Sequence, residues 1–197
     1  MTSTIEKIKQ LREETAAGMM DVKRALEESG GDIDGARRVL KERGQALAEK
    51  KSSREATEGL VDAYVHFNGR VGVLVEVNCE TDFVARTPDF KEFAHNVALQ
   101  VASANPQPLA VAPEDIPADA LEEERQIVEK QVAEMGKPEE ITRRIVDGRM
   151  NKWISERALL SQAYVKDPDK TVGDLLGETV QRVGENVVVR RFVRYEL

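Results

Sequence analysis

The chain has 197 residues, 41% hydrophobic and 33% charged, with a net charge of -7 at neutral pH and a single cysteine, Cys79. That length gives one or two domains with a proper core, while the acidic balance opposes nonspecific attraction to phosphate backbones, so nucleic acid is not expected as a main partner. One thiol excludes an intramolecular disulfide, and with no apolar h-region in Met1 to Arg12 and no run of about 18 apolar residues, a cytoplasmic protein without membrane contact is expected.

Ser3 and Glu6 have the spacing of a capping box, and Ile5, Ile8 and Leu11 recur at helical steps until Thr15-Ala16-Ala17-Gly18 breaks the pattern. A second helix starts at Met19, with Met19, Val22 and Leu26 on its apolar face and Met20, Lys23, Arg24 and Glu27 pointing elsewhere, and Ser29-Gly30-Gly31 stops it. Asp32 caps a third helix carrying Ile33, Ala36, Val39 and Leu40, with Gly44 as its end. Residues 1–44 thus make a three-helix bundle of the ubiquitin-associated type, in which the loop between the first two helices is a common docking surface. Here that loop is Gly18-Met19-Met20. Met19 is assigned to the core. Met20 faces water beside Lys23, as an adaptable contact or as an incidental exposed apolar residue. Residues 45–58, with Lys50-Lys51-Ser52-Ser53-Arg54 and little apolar periodicity, are a partly helical linker.

Residues 59–197 have the pattern of an α+β core. Two strands, Leu60 to Phe67 and Arg70 to Asn78, flank Asn68-Gly69, a strong hairpin signal. A strict two-residue turn would put Val61, Ala63, Val65 and Phe67 on the face opposite Val71, Val73, Val75 and Val77, so a three-residue connection or a bulge is expected. Thr81-Asp82-Phe83-Val84 then forms a short strand-to-helix connection, which can aim side chains outward from a rigid frame. Phe83 is either a plug under the sheet or a wedge offered to a partner. Thr87 caps and Pro88 opens a helix whose stripe is Phe90, Phe93, Ala94, Val97, Val101 and Ala104. Beyond Asn105-Pro106, two helices form a hairpin insert, one from Pro117 with Leu121, Val128, Val132 and Met135, the other after Pro138 with Ile141, Ile145, Met150, Trp153, Ile154 and Leu160. Thr171 caps a helix with Val172, Leu175, Leu176, Val180 and Val183, ended by Gly184, and Val187 to Leu197 alternates as a last strand. The expected fold is a small antiparallel sheet covered by helices, behind the three-helix bundle and with a helical hairpin insert.

Catalytic constellations are missing from the sequence. His66 and His95 have no second histidine at metal-ligand spacing, there is no cysteine pair, no phosphate-binding Gly-rich loop and no Gly-x-Ser-x-Gly elbow. Asp82 as a general acid or base lacks an indicated partner and pocket. Neither a cofactor nor a resident metal is expected. Residue by residue, the pattern is that of a two-module interaction protein whose chemical oddities are Met20 with Lys23, and Asp82 with Phe83.

Two stretches, Leu11 to Leu26 (including Gly18-Met19-Met20-Asp21 and Lys23) and Val77-Asn78-Cys79-Glu80-Thr81-Asp82-Phe83-Val84-Ala85, are similar to the two signature stretches of bacterial translation elongation factor Ts. Thr171-Val172-Gly173-Asp174-Leu175-Leu176 and the terminal Arg190 to Leu197 resemble the same family, so the similarity covers nearly the whole chain. The resemblance implies a guanine nucleotide exchange factor for elongation factor Tu that makes and breaks no covalent bond. It implies that Arg12, Gly18, Met19, Met20, Asp21 and Lys23 bind the GTPase, and that Thr81, Asp82, Phe83 and Val84 dislodge its Mg2+. Many members carry a duplicated core, whereas this chain has room for one copy. Resemblance to that short form suggests a homodimer, with Val187 to Leu197 contributing through an unpaired strand edge. Arg190, Arg191 and Arg194 are open to reading as a solvated face or an RNA contact. The alternative function is a non-catalytic adaptor whose helical module binds another protein.

Overall fold

The computed structural model describes residues 4–15 and 17–197, so the Ser3 cap lies outside the described residues. The first three helices are α1 (Thr4–Thr15), α2 (Met19–Glu28) and α3 (Ile33–Lys51). Their apolar faces close on one another: Leu11, Ala17, Val22, Ala25, Leu26, Ala36 and Leu40 are buried together, with Ile8, Ile33 and Val39 at the margin. Asp32 caps α3 by accepting from the backbone N–H groups of Asp34 and Gly35, satisfying two donors that a helix start leaves orphaned. Two expectations fail here. Met19 is 57% exposed, because as the first residue of α2 behind the Gly18 cap it stands beyond the end of the stripe that Val22, Ala25 and Leu26 bury. Gly44 does not end α3, which continues for two more turns. It lies where α3 crosses α8 (Val172–Val183) beside Gly177, with a Cβ on Gly177 at an ordinary contact distance of 3.5 Å from the Gly44 carbonyl carbon. Packing of Leu47 and Ala48 on the core carries the helix past Gly44, so tertiary contact overrides the poor helix propensity of glycine.

The sheet has three strands in the order β1 (Glu58–Val65), β2 (Val71–Cys79), β5 (Val187–Glu196), all antiparallel. The β1–β2 hairpin corrects a further expectation. Its register is unbroken from Glu58↔Cys79 to Val65↔Gly72, and the turn is closed by Gly69 N–H donating to the His66 carbonyl at 2.7 Å, with Gly69 at φ 69°. An even number of residues in the connection keeps the parity of a two-residue turn, so Val61, Ala63 and Val65 do face away from Val73, Val75 and Val77. The bulge sits instead between β2 and β5, where the register steps from Glu76↔Arg191 to Val77↔Val189.

One sheet face carries the core. Val73, Val75, Val77 and Cys79 of β2 and Val187 and Val189 of β5 pack on Phe90, Phe93, Ala94, Val97 and Val101 of α5 (Pro88–Ser103) and on Val172 and Val180 of α8. The other face is apolar and open: Val61 is 64%, Val65 68% and Leu74 47% exposed. Between sheet and α5 lies α4 (Asp82–Ala85), a single helical turn. The insert is a hairpin of α6 (Ala118–Ala133) and α7 (Glu139–Arg157), held by Val128, Val132, Val146 and Met150. Met135, expected on its stripe, falls past the end of α6 and is exposed, and Val146 fills the seam. A two-stranded ribbon of β3 (Ala163–Tyr164) and β4 (Asp167–Thr171), not anticipated from the sequence, leads into α8. No helix among the described residues is long and apolar enough to cross a membrane.

Helix α3 is joined to α8 by a buried carboxylate. Asp174 completes a capping box with Thr171, accepts from Gln45 Nε2 at 2.7 Å and pairs with Lys41 Nζ at 2.7 Å. Desolvation pushes its carboxyl up, but Lys41 together with the Thr171 N–H and hydroxyl outweighs it and holds the group below the usual aspartate range. A carboxylate depressed on folding contributes stability that is present above its unfolded value, near about pH 4, and is lost as the pH falls through the lower folded value. Asp174→Asn should therefore cost about 1.5–3 kcal/mol at pH 7, as for a hydrogen bond to a charged group. In urea melts at stepped pH, its gap from wild type should narrow below about pH 4; a constant gap would contradict this account.

Candidate functional site

The run Glu80-Thr81-Asp82-Phe83-Val84 leaves the end of β2 and enters α4. Thr81 is the N-cap, its hydroxyl accepting from Val84 N–H at 3.4 Å. At the other end Thr87 donates its hydroxyl to the Val84 carbonyl at 2.8 Å and its backbone N–H to the same oxygen at 3.0 Å. Successive residues of a helical turn point about 100° apart, so one turn sorts them. Val84 packs on the core and Ala85 is buried, Asp82 pairs with Arg86 at 2.8 Å, and Phe83 is 79% exposed. Of the two readings open for Phe83, the plug under the sheet is excluded; Phe90, seven residues on, is the aromatic side chain that fills that place.

A clamp that the sequence did not reveal holds this turn. The β2–β5 ladder has its last pair at Cys79↔Val187. Just past it, Glu185 accepts from Thr81 N–H at 3.0 Å and from the Thr81 hydroxyl at 2.7 Å, while Glu80 accepts from Asn186 N–H at 2.6 Å. Each strand end thus offers a glutamate to the backbone of the other. The Asn186 N–H, with Arg54 and Lys51 nearby, holds the Glu80 carboxyl below the usual carboxylate range against some desolvation. Asn186 also donates its side-chain amide to the Arg54 carbonyl at 2.7 Å, and Lys51 donates to the Gly184 carbonyl, so the end of α3 belongs to the same assembly. Burial, reinforced by the Glu185 charge, pushes the Cys79 thiol up to about 11. It is therefore protonated at neutral pH and donates to the Thr81 carbonyl at 3.2 Å. A buried, protonated thiol is a poor nucleophile. Among the described residues no cluster of three or more His, Cys, Asp or Glu side chains could hold a metal ion.

The second group of expected site residues lies at the α1–α2 corner. Arg12 is exposed in the last turn of α1, and Met19, Met20 and Lys23 are exposed in the first turns of α2. Asp21 is half-buried, its backbone N–H donating to the Gly18 carbonyl at 3.0 Å, and its charge in the first turn suits the positive end of the helix. Gly18 starts α2 without a side-chain cap. Lys23 makes only a loose pair with Glu27, at 3.9 Å. The expected site residues therefore fall into two separate groups, the Met19–Met20 corner and the Phe83 turn, with α3 running from one assembly to the other.

The model of the family described as Elongation factor TS matches residues 3–197. The chain belongs to that family. It is 75% identical to the elongation factor Ts of Rubrobacter xylanophilus over the full length of both. Against the elongation factor Ts of Desulfosudis oleivorans it is 54% identical, with 96% of this chain and 95% of the relative covered. The elongation factor Ts of Thermoanaerobacter sp. is likewise 54% identical, over 96% of this chain and 92% of the relative. Membership in the elongation factor Ts family carries its role in translation, nucleotide exchange on elongation factor Tu.

Exposure separates two phenylalanines that composition treats alike. Phe83→Ala should change stability by no more than about 0.5 kcal/mol, as for a surface site, whereas Phe90→Ala should cost about 3–5 kcal/mol. Urea or thermal melts of the two variants check this, and a large loss in Phe83→Ala would contradict the outward pose.

Proposed function

We propose that the chain docks on elongation factor Tu through the α1–α2 corner and drives Phe83 between helices of its GTPase domain, dislodging the Mg2+ that holds GDP. Residues 1–44 are the docking unit, residues 45–58 connect it, and residues 59–197 carry the wedge and the dimer contact. The observation that carries this reading is Phe83 itself: a large apolar side chain 79% exposed on a turn anchored at both ends. Keeping such a side chain in water is unfavourable by about 1.5–3 kcal/mol relative to burial, and a rigid mount means little ordering entropy remains to be lost on insertion.

Mg2+ requires near-octahedral oxygens at about 2.1 Å, so a small shift of the helices that position its ligands weakens it sharply. Without the ion, the GDP phosphates lose charge compensation. Linkage is reciprocal: a factor that weakens GDP binding binds the GDP-loaded partner more weakly than the empty one, by about 1.4 kcal/mol for each tenfold change, and incoming GTP expels it. The chain works in the cytoplasm on a nucleotide whose bonds stay intact. Asp82, next to the wedge and paired with Arg86, supplies a charge at the same contact.

A homodimer fits the open sheet face. Val61, Val65, Leu74 and Val193 form an apolar patch, crossed by the Glu76–Arg191 pair at 2.7 Å, and a two-fold contact of this face on itself covers both copies. The face, more than the β5 edge alone, is the favoured contact. Arg191 is paired there, and Arg194 pairs with Glu196 at 2.7 Å, which favours a protein contact over RNA.

Release of fluorescent GDP from elongation factor Tu tests the wedge. Wild type should accelerate it and Phe83→Ala should lose about tenfold or more of that acceleration, equivalent to about 1.4 kcal/mol of barrier; equal rates would move the mechanism to other contacts. For the dimer, sedimentation should give twice the chain mass for wild type and a monomer for Val61→Glu with Leu74→Glu. A wild-type monomer at every concentration would overturn it.

A further inference from the structure

We propose that Glu185 is the positioning residue of the exchange wedge: from the α8–β5 turn it completes the cap of α4 and keeps Phe83 aimed outward. The inference rests on the reading of Phe83 as the wedge. In a capping box, a Thr at the N-cap is matched by a Glu or Gln at the third helical position, which accepts the N-cap N–H. In α4 that third position is Val84, which has no acceptor and is committed to the core. Glu185, 104 residues away in sequence, takes the vacant role: one carboxylate oxygen receives the Thr81 N–H at 3.0 Å and the other the Thr81 hydroxyl at 2.7 Å.

The geometry makes this contact decisive for the turn. Four residues cannot sustain a helix on their own, because nucleation fixes several dihedrals for a single hydrogen bond. With Glu185 in place the Thr81 hydroxyl is oriented from two sides, donating to the carboxylate and accepting from Val84 N–H at 3.4 Å. Asn186, buried next to it and bonded to Glu80 and to the Arg54 carbonyl, fixes the turn that carries Glu185. Without the carboxylate, Thr81 N–H is left without its acceptor and the turn samples other arrangements, so the wedge-competent fraction falls while the α1–α2 docking corner is untouched. In that case the defect lies in the saturating rate and not in the concentration needed to reach it.

The test compares wild type, Glu185→Ala, Glu185→Gln, Phe83→Ala and the double variant Glu185→Ala/Phe83→Ala in GDP release from elongation factor Tu, titrated to saturation, with thermal melts of each. The expected result for Glu185→Ala is a saturating rate lowered about fivefold or more with half-saturation within about twofold, as for loss of a pre-organised fraction. Glu185→Gln, which keeps an acceptor of the same reach, should recover part of the rate. Adding Glu185→Ala to Phe83→Ala should cause no further loss, the non-additivity of residues that act as one unit. A wild-type rate in Glu185→Ala beside a slow Phe83→Ala overturns the role of Glu185 and leaves the wedge standing. A wild-type rate in Phe83→Ala removes the wedge and this inference with it. Additive losses in the double variant show that Glu185 acts elsewhere and overturn the proposal. Should Glu185→Ala melt early, Glu185→Met, which keeps the length of the side chain and lacks the acceptor, is judged by the same criteria, with a drop in rate expected and a wild-type rate overturning.

Discussion

Where the β2–β5 ladder runs out, two glutamates continue the exchange of hydrogen bonds that the backbones can no longer make. Glu185 receives Thr81 and Glu80 receives Asn186, and the short turn that follows, the helix ahead of β5 and the end of α3 all take their positions from that crossing. It is a constraint on backbone donors: buried or half-buried N–H groups must find acceptors, and here neither chain segment can satisfy its own. The consequence is that an exposed aromatic side chain sits on a turn tied by hydrogen bonds at both ends, although it belongs to a connection between elements, where mobility is the usual expectation.

The sheet is used on both faces for different ends. One face, with Val73, Val75 and Val77, binds α5 and α8 and supplies the core. On the other, Val61, Val65 and Leu74 stay open to solvent. An acidic protein with an open apolar sheet face is under pressure to cover it, and charge on the periphery opposes indiscriminate association. The Glu76–Arg191 pair is set across that face, a polar mark on an otherwise apolar surface.

Much of this was legible in the residues. Caps at Asp32, Thr87 and Thr171, and the stop at Gly184, are local chemistry, and each holds in the structure. The stripe Phe90, Phe93, Ala94, Val97 and Val101 likewise has a single physical use. What failed was settled by tertiary contact. Gly44 has the local chemistry of a terminator because glycine is a poor helix residue, yet α3 runs on because Leu47 and Ala48 beyond it pack on the core. In the hairpin, the valines of β1 and β2 do not share one core, because the second sheet face is itself apolar. Met19 lay one turn too early for its stripe. At the site, Phe83 was singled out but its orientation was not, since exposure depends on which neighbour of the turn the core accepts, and it accepts Val84. Glu185 was invisible altogether: after a helix-ending glycine, a glutamate looks like an ordinary turn residue, and nothing local refers to Thr81.

Helix α3 is continuous over its 19 residues, a length of about 28 Å at 1.5 Å per residue, and its second half is locked against α8. It therefore behaves as a ruler with a fixed phase. One residue inserted ahead of Gly44 would swing the N-terminal bundle through about 100° around the helix axis, whereas seven would lengthen the ruler by about 10 Å and bring the bundle back to nearly the same azimuth. The relation between the Met19–Met20 corner and the Phe83 turn is thus written as helical periodicity, and a change in chain length there acts first as a rotation.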